Sequence, residues 1–264
     1  MTAVHLVTFA DGGPGYVQGR NLLVETAQAS QWFKTIKAYD LATLALESPT
    51  WFETHRKFIT NNRRGLGYWI WKPEVIRIRL SQIGSHDVLL YLDAGCQINP
   101  YGKRRFEHYV RLCQDYGMLC FFLNGPNYTI GQWTKVDLLN RFNIAQNDLI
   151  LRLPQVEAGV SFYTATPHNH RSLSRWEALA SENGYSLLDD SPSKIQEPNQ
   201  FIEHRHDQSI FSLLHYLDNW GKSIKNENYH PSNWSEGTTP KAFPILATRF
   251  INENRPCVTK LRVE

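Results

Sequence analysis

Five consecutive apolar or aromatic residues, Val88 to Leu92 (VLLYL), are followed at once by Asp93-Ala94-Gly95. No other feature constrains the fold as strongly. An unbroken apolar run of this length, without the alternation of a half-exposed strand, reads as a central strand covered on both faces. Such strands belong to α/β sandwiches, and there the carboxyl edge of the sheet is where ligands bind. Asp93 therefore sits where a carboxylate can hold a divalent cation, and small Ala94 and Gly95 allow close approach to the backbone. The bland alternative is an Asp that caps a loop.

The rest of the chain follows the same pattern. Val4–Phe9 reads as a buried strand broken by Asp11-Gly12-Gly13-Pro14-Gly15, and Thr35–Tyr39 as a second strand. Gly117–Leu123 and Val160–Thr164 read as further strands. Helical spacing predicts helices over Asn21–Phe33, over Leu41–Phe58 with a break at Ser48-Pro49, and over Pro73–Leu80. Others are expected over Arg104–Leu112, over Ser172–Asn183 with Gly184 as a C-cap, and over Gln208–Leu217 opened by Asp207. Strands alternating with helices imply a Rossmann-type α/β sandwich around a mostly parallel sheet, one domain over residues 1–221. Residues 222–239 are polar and predicted to form a mobile flap, and residues 240–264 to fold back on the domain.

Composition excludes several classes. With 264 residues, 42% hydrophobic and 20% charged, the chain is globular. A net charge of +3 is too small and scattered for a nucleic-acid binder. The longest apolar run, Met118–Leu123, is far short of a membrane span, which leaves only a peripheral membrane role. Cys96, Cys113, Cys120 and Cys257 form no framework and suit a reducing, cytoplasmic setting, with a peripheral place at the inner face of the membrane left open. The N-terminus has no basic region of the kind that opens a signal peptide. G-x-S-x-G, a Walker A loop and H-E-x-x-H are absent.

Three further segments carry candidate chemistry. Asn61 to Pro73 (NNRRGLGYWIWKP) packs Arg63, Arg64 and Lys72 beside Tyr68, Trp69 and Trp71. The cations suit phosphate oxygens. The rings suit a base or sugar face, or else plug the core under the next helix. Glu157-Ala158-Gly159-Val160 places a carboxylate and two small residues before an apolar strand. His204, His206, Asp207 and Gln208 cluster at a helix start, where Asp207 also serves as an N-cap. Read alone, H-x-H-D also suits the metal site of a hydrolase, completed from His168, His170 or His230.

Taken in order, Asp93-Ala94-Gly95, Glu157-Ala158-Gly159-Val160 and Asp207-Gln208-Ser209 resemble the nucleotide-sugar-dependent glycosyltransferases of the GT-A fold. The likeness is to the retaining group related to glycogenin and to bacterial lipooligosaccharide galactosyltransferases. There a strand ends in D-x-D, an N-A-G-V strand start follows, and then a D-Q-D helix start. Here Gly95 stands at the second acid, Glu157 at the Asn, and Ser209 at the last Asp. The R-G-x-G-Y-W-x-W-K-P run is similar to one in a bacterial or viral polysaccharide-type glycosyltransferase family.

The resemblance implies a hexosyl-type glycosyltransferase that takes a nucleoside diphosphate sugar and a glycan or glycolipid acceptor. It implies Thr8, Phe9, Ala10, Arg63, Arg64, Lys72, Asp93, Ala94 and Gly95 at the substrates. Asp207, Glu157 and Gln208 would be catalytic, and Asp93 and His206 would hold Mn2+ or Mg2+. A carbohydrate-binding protein that kept the fold and lost catalysis is the alternative from another class.

Overall fold

The computed structural model describes residues 2–228 and 243–248. Eight strands are present among them: β1 (Val4–Phe9), β2 (Thr35–Tyr39), β3 (Val88–Leu92), β4 (Cys96–Ile98), β5 (Met118–Phe122), β6 (Val156–Thr164), β7 (Lys222–Lys225) and β8 (Ile245–Ala247). Around them lie α1 (Pro14–Ser30), α2 (Leu41–Glu47), α3 (Pro49–Asn61), the short turn α4 (Gly65–Tyr68) and α5 (Trp71–Leu80). The second half adds α6 (Lys103–Tyr116), α7 (Ile130–Trp133), α8 (Val136–Arg141), α9 (Pro167–Ser181) and α10 (Asp207–Leu217).

The central sheet has six strands in the order β2-β1-β3-β6-β5-β7. The β1–β2, β1–β3 and β5–β7 pairs are parallel, and β6 runs antiparallel to both β3 and β5. This is the expected α/β sandwich around a mostly parallel sheet. Strand β3 is buried along its whole length. Leu89 and Tyr91 join the core on one face, under α3, α5, α9 and α10. Val88, Leu90 and Leu92 join the core on the other, under α1 and α6. Period-2 alternation on a doubly covered strand thus feeds two apolar layers, which is why no polar residue interrupts it.

The helix boundaries differ from the sequence reading for local reasons. Helix α1 starts at Pro14 rather than Asn21, because Pro at the first helical position is pre-set for the turn and needs no N–H partner. Its Gly19 lies under the backbone of the loop after β3: a Cβ there would fall 2.8 Å from the Ala94 carbonyl oxygen. Helix α9 starts at Pro167, where the Thr166 hydroxyl accepts the Asn169 N–H. It ends at Ser181, so Gly184 is no cap. With φ +68 it lies instead in the 3-10 turn that follows.

Residues 222–228 correct the flap expectation. Lys222–Lys225 form an edge strand paired with β5, and Asn226 N–H donates to Phe122 O at 2.9 Å. The rest of that predicted flap, 229–239, lies outside the described residues. Of the C-terminal segment, 243–248 is described, and β8 pairs antiparallel with β4. Among the described residues no helix is long and apolar enough to cross a membrane. Cys96, Cys113 and Cys120 are buried free thiols, and Cys257 lies outside the described residues.

Gly102 is where this return meets the domain. A Cβ there would lie 2.6 Å from the Phe243 carbonyl carbon and closer still to the Pro244 backbone. Gly102→Ala is therefore expected to lose about 1–3 kcal/mol, the scale of overpacking against backbone that cannot rotate away. Urea unfolding reads the loss. Limited proteolysis should show cleavage near residues 243–248 in the variant and not in the parent.

Candidate active site

The carboxyl ends of β1 and β3 and the first half of β6 meet at one edge of the sheet, beside the point where strand direction reverses between β3 and β6. Asp93 leaves β3 with its N–H bonded to Gly159 O at 2.8 Å. The phenol of Tyr91, two residues back, donates to Asp93 Oδ1 at 2.6 Å. Lys72 Nζ lies 3.4 Å from the same oxygen and 2.7 Å from Asp207 Oδ2. Lys72 and Asp207 are buried, with side chains 3% and 7% exposed, whereas Asp93 is 44% exposed. Thus one ammonium joins the loop after β3 to the first residue of α10, and only Asp93 opens to solvent.

Burial alone would push the Lys72 ammonium down, but Asp207 and Asp93 outweigh it and raise its pKa. Asp207 moves the other way: burial pushes its carboxyl up to about 6, against the pull of Lys72. Burial also raises Tyr91 well above the phenol range, and the charge of Asp93 adds to it, so the phenol stays a donor.

Glu157 stands on β6, across Gly159 from Asp93. Between Cys120 and Phe121 the pairing of β5 jumps from Ser161 to Glu157, so β6 bulges over residues 158–160. Bulges bend a strand and re-aim its side chains. Glu157 Oε2 accepts from Asn226 Nδ2 and Asn228 Nδ2, each at 2.7 Å. A Cβ at Gly159 would lie 2.8 Å from Asp93 Oδ2 and 3.6 Å from Glu157 Oε1. The bare Cα thus leaves a cradle between two carboxylates.

On the β1 side, Thr8, Phe9 and Ala10 are all buried. Among the described residues nothing bonds the Thr8 hydroxyl. Phe9 stacks on Trp71 at 3.9 Å, and Ala10 O accepts from Arg20 at 3.2 Å. Ala94 is buried, and Gly95 O accepts the Thr248 hydroxyl at 3.2 Å. Arg63 is exposed. Arg64 pairs with Asp190 at 3.1 Å and Glu203 at 2.6 Å. Of the three expected phosphate-binding cations, Lys72 and Arg64 are thus committed to carboxylates of the chain itself. Gln208 Nε2 donates to Gln155 Oε1 at 3.1 Å, beside Glu157.

His206 is buried and strained, with φ 53 and ψ −123. Its Nδ1 donates to Leu188 O at 2.8 Å, and Nε2 faces Asp190 at 3.6 Å. Burial lowers its pKa, so the imidazole is neutral. The rings of Tyr68 and Trp69 flank it at 4.9 and 5.7 Å. Those two aromatics end a run of five residues with positive φ, Gly65 to Trp69. A left-handed turn costs roughly 1–2 kcal/mol per non-glycine residue. Trp71 Nε1 helps hold it by donating to Gly65 O at 2.9 Å.

The contacts of His206 do not include Asp93. His204 is spent as well: Nε2 donates to Leu187 O at 3.0 Å and Nδ1 accepts from Lys135 N–H at 3.3 Å. Among the described residues no group of three His, Cys, Asp or Glu side chains could hold a metal. The hydrolase centre at His204, His206 and Asp207 is therefore not formed among them. The Asp93 side chain, 44% exposed and with Oδ2 beside Gly159, is where a hard divalent cation such as Mn2+ or Mg2+ would meet a carboxylate oxygen.

Sequence reasoning missed Tyr91, read as core, and Asn226 and Asn228, read as flap. Gly159, inside the Glu157-Ala158-Gly159-Val160 segment already noted, was the available signal for a close approach.

No protein-family profile matches the chain, and no curated protein matches it. Solved structures similar to it include a glycosyltransferase involved in the glycosylation of the major capsid of PBCV-1, at 12% identity and TM-score 0.49 over 92% of this chain and 91% of that one. Mouse xyloside xylosyltransferase 1 is similar at 13% and 0.47 over 88% of each chain. The galactosyltransferase LgtC, solved with donor and acceptor sugar analogs, is similar at 13% and 0.46 over 96% and 91%.

Two outcomes follow from the buried pair. Lys72→Met should cost about 3–5 kcal/mol in urea unfolding, because it strands a buried carboxylate, and Lys72→Met with Asp207→Asn should recover most of that. The raised Asp207 pKa sets the sign with pH. Between about 3.8 and 6 the folded chain holds a proton that the unfolded chain has released. Stability from this group is greatest below that window and falls as pH rises through it, by up to about 3 kcal/mol. Asp207→Asn should flatten that segment of the stability–pH curve.

Proposed function

We propose that this chain is a glycosyltransferase that moves a sugar from a nucleoside diphosphate sugar to a glycan or lipid-linked acceptor. The observation that carries the reading is the Lys72–Asp93–Asp207 cluster at the carboxyl edge of the sheet. A buried ion pair is an expensive way to stabilise a fold. A binding module that only touched sugars through its surface would have no need of one. An exposed carboxylate held from behind by a buried ammonium and a phenol is instead a preorganised electrostatic device.

The first half of the edge, with Thr8, Phe9, Ala10, Ala94 and Gly95, is assigned to the nucleotide. Arg63 stands by for its phosphates. The second half, with Glu157, Asp207 and Gln208, is assigned to the transferred sugar and the acceptor. Lys72 acts as a positioning residue, because its ammonium is enclosed by the two carboxylates it orients. Asp93 would hold the divalent cation, whose charge would offset that of the departing diphosphate. The hexosyl donor, a role in polysaccharide synthesis and a site of action at the inner membrane face belong to the same proposal.

The test is hydrolysis of a panel of nucleotide sugars without acceptor, since transferases leak donor to water. One donor should be cleaved well above the rest. Asp93→Asn keeps size and removes charge, and should lower that rate by about a hundredfold or more, the scale of losing a key electrostatic group. Normal turnover by a folded Asp93→Asn variant would sink the assignment. Glycan binding with no donor cleaved and no nucleotide bound would instead support the carbohydrate-binding alternative.

A further inference from the structure

Four carboxamides converge on one cavity beside α7. Its volume is about 340 Å3, and Gln132, Gln146, Asn147 and Gln200 line it. We infer that this cavity binds a neutral stretch of glycan and that it holds the part of the acceptor that does not react. The inference takes its use from the transferase reading and its existence from the lining of the cavity.

The chain spends its carboxamides in two ways. Asn169 and Gln155 are buried. Asn169 donates to Gly117 O and Thr164 O, and Gln155 donates to the Thr134 hydroxyl and accepts from Gln208. Groups of that kind hold the fold. Gln146, Asn147 and Gln200 are exposed, and their side chains form no hydrogen bond among the described residues. Gln132 uses Oε1 to accept from the N–H and hydroxyl of Thr129, and its Nε2 has no partner among the described residues.

A carboxamide donates, accepts and carries no charge. A sugar hydroxyl also donates and accepts, so the two are complementary. The rest of the lining argues against other ligands. Asp148 and Arg152 supply one charge of each sign, which gives no net attraction for phosphate or for a metal ion. Leu151 offers too little apolar surface for a lipid tail, which needs a mostly hydrophobic pocket. The volume lies within the roughly 300–1,000 Å3 of small-ligand sites.

The walls are built rather than accidental. Gly131 in α7 packs against the 3-10 turn Leu149–Arg152. A Cβ there would lie 3.2 Å from Leu151 O and 3.8 Å from Gln200 Nε2. Tyr128 and Trp133, which flank the lining residues Thr129 and Gln132 in sequence, lie nearly parallel with ring centres 6.2 Å apart. The Arg205 guanidinium covers Trp133 at 4.0 Å. Tyr128 is 41% exposed, and an aromatic face of this kind suits the C–H face of a sugar ring.

Helix α7 also ties the cavity to the sheet edge. The N–H of Ile202 donates to Gln132 O at 2.8 Å. One residue on, Trp133 O accepts the Arg205 N–H at 3.1 Å and the Ser209 hydroxyl at 2.5 Å. Residues 202–209 thus run along α7 to Asp207 and Gln208, on the half of the edge assigned to the acceptor. One four-residue turn separates the carboxamides from the Lys72 cluster, so an extended glycan can engage both.

The test probes the full chain with a printed array of neutral, carboxylated and sulfated oligosaccharides, then titrates the best neutral binder by calorimetry. Neutral tri- to hexasaccharides should bind, and single sugars should not. Asn147→Ala combined with Gln200→Ala should weaken binding at least about tenfold, the scale of losing two hydrogen bonds. Arg56→Ala on α3 should bind as the parent does. All three replaced side chains are exposed, and circular dichroism with urea unfolding confirms that each variant folds.

An array without a neutral binder would overturn the site, as would binding confined to acidic or sulfated glycans or binding that the double variant leaves intact. Donor cleaved by the parent with any of these results would overturn the site alone and leave the transferase reading standing. Neutral glycan bound and lost in the double variant, with no nucleotide sugar cleaved, would sink the transferase reading and leave the site in place.

Discussion

The ammonium of Lys72 is the point on which the sheet edge depends. Without it, Asp207 would be a buried carboxylate at a helix start with nothing to offset its desolvation, and it would take up a proton at neutral pH. With it, Asp207 sits 2.7 Å from a cation and Asp93 sits 3.4 Å from the same one. The loop after β3 and the start of α10 are 114 residues apart in sequence, and no backbone pairing joins them. A point charge on a four-carbon stem can bridge such a gap, and α5 carries it there. The stem is buried, so the ammonium is fixed before any ligand arrives. Preorganisation of this kind is what allows an electrostatic group to act without reorganising during the reaction.

The second constraint is the reversal of β6. A parallel strand in its place would bring residues past its carboxyl end to this edge. Running antiparallel, β6 delivers its first half there instead, and the register sets Val160 opposite Leu92. Glu157 then falls beside Asp93 rather than beyond it, and the bulge over residues 158–160 turns the strand at that point. Gly159 lies at the closest approach, where its carbonyl takes the Asp93 N–H at 2.8 Å. One glycine thus lets two strands meet and leaves a space between their acids.

Much of this was legible in the chain itself. The unbroken run of β3 announced a central strand, and the acid at its end marked the sheet edge where the Lys72 cluster forms. Asp207 opens its helix as the first helical residue and not as the expected cap, which is His206; an acid in the first turn is favoured by the exposed N–H groups there. Lys72 stood out through the motif around it, although the sequence could not say that it would be buried or what it would face. Tyr91 was illegible as a site residue, because inside an apolar run a phenol reads as a ring. Asn226 and Asn228 were illegible for the opposite reason. Two Asn residues and a Glu beside two Lys read as loop, and only the β5 edge makes a strand of the residues just before them. Periodicity reports which face is apolar and is silent on which polar atoms meet across 70 residues.

The left-handed run from Gly65 to Trp69 shows where the fold accepts strain to hold this edge. Three of its five residues, Leu66, Tyr68 and Trp69, carry side chains that disfavour positive φ. His206, against which Tyr68 and Trp69 pack, is itself strained. Strain on both sides of one contact implies that the surroundings over-determine it. Arg64 binds Asp190 and Glu203 just before the run, and Trp71 closes it by bonding Gly65 O. Lys72 is the next residue. A relaxed right-handed turn would start α5 in another direction and carry the ammonium away from both carboxylates. The cost of the turn is therefore best understood as the cost of aiming Lys72, and the glycines at 65 and 67 reduce it at the two positions where a side chain would add most. At 65 a Cβ would strike the Trp69 ring, and at 67 it would press on Ile59.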